Sequence, residues 1–487
     1  MKLLIYGLDG GDLAVMNIFK DQMPFFQKFL SKNKSIDLTE DLINRGWVEI
    51  LTGKYGKDTK GFYMAPKLDG THSFSTGFNM KVVEADENVV PLWEIAEKRK
   101  VPYLIMNVPT TTPVPKTKYG IVVGSAGGGL NKVSGIPEIL VSDEATREYL
   151  ERNHYIVDIR IPNDEIKSTE ELYEKVGEKE LKRTECFIEI CRRNSTEFGF
   201  LVNRGNTIVQ YLSRSAIELY KENQDQGAKH QSWTFPYLEK HFCELDQQFK
   251  VLYEELKPEH FIITADHNIV PSKYWANVSP FLIQNGYLAP KKSGKQLTRI
   301  KRLVVKILGN RAKKVSKTVS SGLKNSFDKY NWDKSLAFGS TYIPGIYIND
   351  KKRFNGPVRD DEIDLIIDKI CDDFNKIPNK ERLSMKAVPY RSLHKGGRFS
   401  DWLPDIKIEG SEGIFFAESK NELCWKNVNY GPIPKNLSRV NHAAFSGDKG
   451  ENPIFVATKN TIEFIDEKDA MDLTVVYKII DRLIGSI

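Results

Sequence analysis

The apolar run Phe261-Ile262-Ile263-Thr264-Ala265 passes without transition into Asp266-His267-Asn268. A short apolar run rich in β-branched and aromatic residues reads as a strand buried on both faces, and such strands belong to parallel sheets covered by helices. In an open α/β sheet, ligands bind beyond the carboxyl ends of the strands. An acid followed by an imidazole at such an end marks a candidate site and obliges the rest of the chain to supply the sheet. Residues 3–8, Leu3-Leu4-Ile5-Tyr6-Gly7-Leu8, repeat the pattern and end in Asp9-Gly10-Gly11-Asp12. Asp9 is therefore a second candidate at a strand end, although an N-cap role for the helix that follows fits the local pattern equally well.

The remaining pattern alternates strands and helices, as parallel βαβ units do. Helices are expected at 12–30, at 44–52 where Gly53 stops the turn, from Pro91, and at 144–152, 208–222, 235–256, 362–374 and 473–484. Strands are expected at 103–106, 119–123, 198–202, 345–348 and 453–457, with an irregular polar excursion over 55–86. The expected architecture is one large α/β core over 1–290 and 331–487, interrupted by an insertion at 291–330.

That insertion locates the net charge of +6, because residues 291–324 hold twelve Lys or Arg and no Asp or Glu. The body is then mildly acidic, and the insertion reads as a basic cap with a solvated face. It could draw an anionic substrate to the mouth of the site or make a peripheral membrane contact through 291–324. No aromatic interleaving accompanies the charge, so nucleic acid is not expected as a partner. The 487 residues contain no apolar run long enough for a signal-peptide core or a bilayer span, and a cytoplasmic location is expected. The five cysteines include no C-x-x-C pair and point to free thiols.

Asp9, Asp266 and His267 offer oxygen and imidazole donors suited to zinc or manganese. Read in order, Tyr6-Gly7-Leu8-Asp9-Gly10-Gly11, Trp47 through Leu51-Thr52-Gly53, Pro91-Leu92-Trp93, Asn107-Val108-Pro109-Thr110, Ala265-Asp266-His267, Trp332-Asp333-Lys334-Ser335, Ile346-Tyr347-Ile348-Asn349, Pro404-Asp405 and the late His442 resemble the type I phosphodiesterase and nucleotide pyrophosphatase branch of the alkaline phosphatase superfamily. The resemblance implies a three-layer sandwich with a mainly parallel central sheet and helices on both faces. It also implies a two-metal phosphoesterase site. One ion would be held by Asp9, Asp266, His267 and the nucleophile, the other by an Asp-x-x-x-His motif on a middle helix together with His442.

Three positions depart from that pattern. The nucleophilic Thr or Ser lies nine residues before Thr52 in the family, and Ile43 stands there. Thr39 is the nearest upstream hydroxyl and would serve as nucleophile only after a loop slip, while Asn44 and Arg45 could grip a phosphate at the helix start. In the middle motif one register pairs Thr207 with Tyr211 and the other pairs Asn206 with Gln210, so neither joins a carboxylate to an imidazole. One divalent ion is thus expected rather than two. Two readings stay open: a metal-dependent phosphoester hydrolase with a degenerate site, and a catalytically silent protein that binds an anionic ligand or a protein partner.

Overall fold

The computed structural model describes residues 1–486 apart from 77, 79, 85, 126–134, 160–165, 227–231, 292–328, 341, 419, 434 and 438–444. Its centre is a seven-stranded sheet. The labelled strands are β1 (Leu3–Leu8), β2 (Tyr103–Met106), β3 (Gly120–Val123), β4 (Phe198–Asn203) and β5 (His260–Thr264), followed by β6 (Asn268–Pro271), β7 (Gly447–Gly450) and β8 (Phe455–Ala457). The sheet order is Lys34–Ser35, β8, β5, β1, β4, β2, β3. β5, β1, β4, β2 and β3 run parallel, and β8 closes one side antiparallel to β5. β6 and β7 form a separate antiparallel pair directly after the Asp-His dipeptide.

β1 is buried at every residue, and its pleat feeds two cores. Leu4, Tyr6 and Leu8 pack with the helices α2 (Thr169–Arg193), α3 (Gly205–Gln226) and α4 (Phe235–Leu256). Leu3 and Ile5 pack on the other face with Trp47 and Ile50 of α1 (Gly46–Thr52) and with Val476 and Ile480 of α5 (Thr474–Gly485). A third core, around Phe338, Tyr347 and Phe374, belongs to a four-stranded antiparallel sheet built from Ala337–Gly339, Gly345–Ile348, Ile406–Glu409 and Lys386–Pro389. This second sheet is absent from the sequence expectation, which found only the strand at 345–348; its other strands are three or four residues long, too short for an alternating pattern to stand out.

Two helical expectations need correction. The helix expected at 12–30 is broken: Leu13–Ile18 ends near Phe19, and a new helix, Pro24–Lys32, starts with proline at its first turn, where the missing N–H costs nothing. The longest helix, α2, was not anticipated at all. Its inner face buries Lys179, Glu180 and Arg183 among the apolar residues, which interrupts the apolar stripe in mid-helix although the helix as a whole stays amphipathic. The basic insertion expected at 291–330 lies almost wholly outside the described residues. Among the described residues no helix is long and apolar enough to cross a membrane.

Candidate metal centre

Parallel pairing fixes where the site forms. Gly7 pairs with Thr264 and Leu8 with Asn203, so β5, β1 and β4 end side by side and release Asp266, Asp9 and Arg204 at one sheet edge. Asp9, Asp266 and His267 are all buried, and one potential ligand atom from each lies within 4.8 Å of the others. His267 Nε2 is 3.8 Å from Asp9 Oδ1 and 3.6 Å from Asp266 Oδ2.

Each member is held by a neighbour. His267 Nδ1–H donates to the Asn268 carbonyl at 2.9 Å, which leaves the Nε2 lone pair facing the two carboxylates. Asp9 Oδ2 accepts from Trp47 Nε1 at 3.2 Å and from Arg204 Nε at 3.4 Å. Asp266 Oδ2 accepts from the Tyr63 hydroxyl at 3.3 Å, whereas its buried Oδ1 has no hydrogen-bond partner. An orphaned carboxylate oxygen in the interior is costly without a cation or a proton.

The electrostatics agree. Burial, and then the charge of Asp9, hold the Asp266 carboxyl well above the usual range. Burial, reinforced by the positive charge of Lys449, pushes the His267 imidazole down to about 3, so the ring is neutral and able to ligate at ordinary pH. Lys449 itself is pushed down to about 8 by burial, against the pull of Asp266 and Asp9. Close by, Glu40 and Glu49 are buried acids held well above the carboxylate range, by burial first and then by neighbouring negative charge, that of Glu49 on Glu40 and those of Asp41 and Asp472 on Glu49. The Asp9–Asp266–His267 donor set, with one unpartnered oxygen and one free imidazole nitrogen, fits one divalent ion.

The structure treats the other sequence candidates differently. Ile43, at the family's nucleophile position, is 1 % exposed in a small apolar cluster with Phe62, Tyr390, Phe399 and Leu403. Thr39 is exposed; its hydroxyl donates to the Met471 carbonyl at 3.4 Å, and no contact ties it to the three donors. The Asn44 amide is used within the loop, donating to Asp41 Oδ2 at 2.9 Å and accepting from Gly56 N at 2.9 Å. Arg45 donates to the Phe62 carbonyl at 2.7 Å and the Thr76 carbonyl at 2.5 Å. Asn44 and Arg45 thus brace the loop ahead of α1, and the Arg45 guanidinium, 5.8 Å from the centre of the Tyr63 ring, also feels the charge of Asp266. His442 lies outside the described residues.

The middle motif is resolved into two faces of α3. Asn206 donates to the Asp9 carbonyl at 2.9 Å, and Gln210 donates to the Gly10 carbonyl and to Asn206 Oδ1, both at 3.0 Å. This pair buttresses the β1 loop with neutral amides. The other register places Tyr211 near His267, ring centres 6.4 Å apart, and Thr207 Oγ1 buried without a partner. Four residues that sequence reasoning passed over as site members, namely Trp47, Tyr63, Arg204 and Lys449, surround the donors. Tyr63, Arg204 and Lys449 sit in no motif that would have marked them, although Arg204 follows a strand; Trp47 opens one of the family-like stretches but carried no role there.

No protein-family model matches the chain, and no curated protein does. Solved structures do. Phosphonoacetate hydrolase from Sinorhizobium meliloti 1021, solved with phosphonoformate, aligns with a TM-score of 0.51 at 10 % identity over 99 % of this chain and 96 % of that one. Murine ectonucleotide pyrophosphatase/phosphodiesterase 5, in complex with AMP, aligns at 0.46 with 12 % identity, covering 100 % of this chain and 95 % of that one. The chain has the alkaline-phosphatase-like α/β fold.

Proposed function

We propose that this chain is a phosphoester-hydrolase-type protein that holds one divalent ion, zinc or manganese, on Asp9, Asp266 and His267 and takes an anionic phosphoester ligand beside it. The observation that carries the reading is the buried Asp266 Oδ1, unpartnered within a donor set that also offers His267 Nε2. The fold is shared with a hydrolase solved around phosphonoformate, a phosphorus oxyanion, which supports the ligand class. When bound, such an ion would act as a Lewis acid toward a phosphoryl oxygen. The chain's own residues prepare that chemistry. Trp47 and Arg204 orient Asp9, the Asn268 carbonyl fixes the His267 tautomer, and Tyr63 steadies Asp266.

A second reading, ligand binding without turnover, is favoured by one specific observation: the nucleophile position is the buried Ile43, and Thr39 is tied to Met471. Hydrolysis would then require water rather than a side-chain hydroxyl as nucleophile. One experiment separates the readings. Metal-free protein is titrated with zinc or manganese and then assayed on a panel of aryl phosphodiesters and phosphomonoesters. One equivalent of metal and turnover abolished by Asp266→Ala establish the hydrolase; one equivalent of metal and phosphoester binding without turnover establish the silent form. Absence of metal uptake by the parent protein sinks both.

A further inference from the structure

Besides Arg45, whose charge also reaches Asp266 and Lys449, two side-chain cations flank the donor set from elements that contribute no ligand to it. Arg204 follows β4, at the head of the segment where the family resemblance expects the ligands of a second ion. Its Nε contacts Asp9 at 3.4 Å and its Nη1 pairs with the buried Asp158, which anchors the guanidinium from behind. Among the described residues Nη2 has no partner, and the side chain keeps 21 % of its surface exposed. Lys449 comes from β7, whose pairing sets it opposite Ile269, two residues past His267. Its Nζ lies 3.2 Å from the centre of the Tyr63 ring, and the Tyr63 hydroxyl is bonded in turn to Asp266.

Lys449 is the more informative of the two. Among the described residues no carboxylate lies within ion-pair distance of its ammonium, no hydrogen bond uses its three donors, and the residue is only partly exposed. A half-buried ammonium that rests on an aromatic face with free N–H groups is poised for an anion. Arg204 and Lys449 together would leave the site net positive once an ion had neutralised Asp9 and Asp266. The partner implied by that excess charge is a tetrahedral oxyanion with several acceptor oxygens, which a guanidinium edge and an ammonium can grip from two sides.

We propose that Lys449 and Arg204 stand in for the second metal ion, holding the non-bridging oxygens of a phosphate group beside the Asp9–Asp266–His267 centre. The assignment rests on the one-ion reading above and deepens it. The probe is inorganic phosphate, titrated calorimetrically into zinc-loaded protein, with zinc stoichiometry measured alongside. Lys449→Met is expected to weaken phosphate binding about tenfold or more, as loss of a charge-assisted hydrogen bond does. Lys449→Arg restores most of the affinity, and all three proteins bind one zinc. Lys449 makes no hydrogen bond to a described residue, so its removal orphans no buried group and the variants are expected to fold; matching far-UV spectra check this. Arg204→Gln, which keeps some polarity but no charge, lowers phosphate affinity without adding a second zinc. Phosphate affinity in Lys449→Met equal to that of the parent overturns the assignment, and so does a parent that binds two zinc ions. A parent that binds phosphate through Lys449 yet takes up no zinc overturns the one-ion reading and leaves the anion site standing.

Discussion

Gly46, the first residue of α1, lies against Asp266: a Cβ added there would sit 2.5 Å from the Asp266 carbonyl oxygen and 2.9 Å from its Cβ. Helix start and strand end are therefore in contact through a position that only glycine fills. The same added carbon would meet Leu473 Cδ1 at 2.5 Å, so relief on one side is blocked on the other. Gly46→Ala is expected to displace Asp266 by some tenths of an ångström. The cost should be about 1–3 kcal/mol in urea unfolding, typical of an overpacked interior, with a parallel loss of zinc affinity. Unchanged zinc affinity in a folded variant would show that Asp266 is not positioned through this contact.

Trp47 reaches across from α1 to hold Asp9. Its indole is 3 % exposed and packs on Phe200, with ring centres 6.2 Å apart, while Nε1 donates to Asp9 Oδ2. Trp47→Phe keeps most of the packing and removes the donor. Loss of such a supporting hydrogen bond is expected to reduce metal affinity roughly 10- to 100-fold. Competition against a fluorescent zinc chelator measures this, and the melting temperature of the metal-free protein reports separately on packing.

In the metal-free protein Asp9 and Asp266 oppose one another, and burial with that repulsion holds the Asp266 carboxyl high. Asp266→Asn removes the repulsion and leaves the shape almost unchanged. Metal-free Asp266→Asn should melt no lower than the parent, whereas the zinc-induced rise in melting temperature should disappear. A substitution that stabilises the empty protein while abolishing its response to metal is the signature of a site strained for function. Differential scanning with and without zinc distinguishes this from simple damage, which would lower both curves.

His241 on α4 gives a pH prediction of definite sign. It is 7 % exposed, its Nε2 has no partner, and burial, partly opposed by Glu180, pushes it down to about 4. The unfolded chain protonates this ring near 6.5. Between those values the unfolded state binds more protons, so stability falls as pH drops from about 6.5 and the loss levels off below about 4. The span corresponds to about 3 kcal/mol. His241→Leu should flatten the stability profile between pH 7 and pH 5 relative to the parent; parallel profiles would assign the acid sensitivity elsewhere.

Much of the sheet was readable because its strands are continuous apolar runs with charged ends, and the same runs placed Asp9, Asp266 and His267 at one edge. Parallel pairing does the rest, since Gly7 opposite Thr264 leaves little choice about where Asp9 and Asp266 fall. The surrounding shell was illegible for a different reason. Tyr63, Arg204 and Lys449 lie far apart in the chain, and only the closed fold brings an aromatic ring to Asp266, a guanidinium to Asp9 and an ammonium onto that ring. Asn44 and Arg45 were legible only as phosphate contacts, and the loop bracing they provide with Asp41, Gly56, Phe62 and Thr76 has no mark in the local pattern. A polar side chain at a helix start carries no label saying whether it serves a ligand or the backbone.

The same limit hid α2, and its buried charges yield the sharpest stability test. Glu180 is 2 % exposed and accepts from Arg183 Nη1 at 2.7 Å, lies 2.9 Å from Lys179 Nζ, and accepts from Gly205 N at 2.7 Å at the head of α3. Burial opposes its charge, yet Arg183 and Lys179 together hold its carboxyl below the usual range. One carboxylate thus compensates two buried cations and satisfies the start of the helix that carries Asn206 and Gln210 to the Asp9 loop. Glu180→Gln preserves shape and an acceptor oxygen but leaves Lys179 and Arg183 to share Asp158. Removing one partner from a buried ionic set costs about 3–5 kcal/mol, so the urea midpoint should fall steeply with little change in the slope of the transition. Because α3 braces the Asp9 loop, zinc affinity should weaken as well, although Glu180 touches none of the three donors. A midpoint within error of the parent would mean that water reaches this network and that the charges of α2 are not sealed in the core.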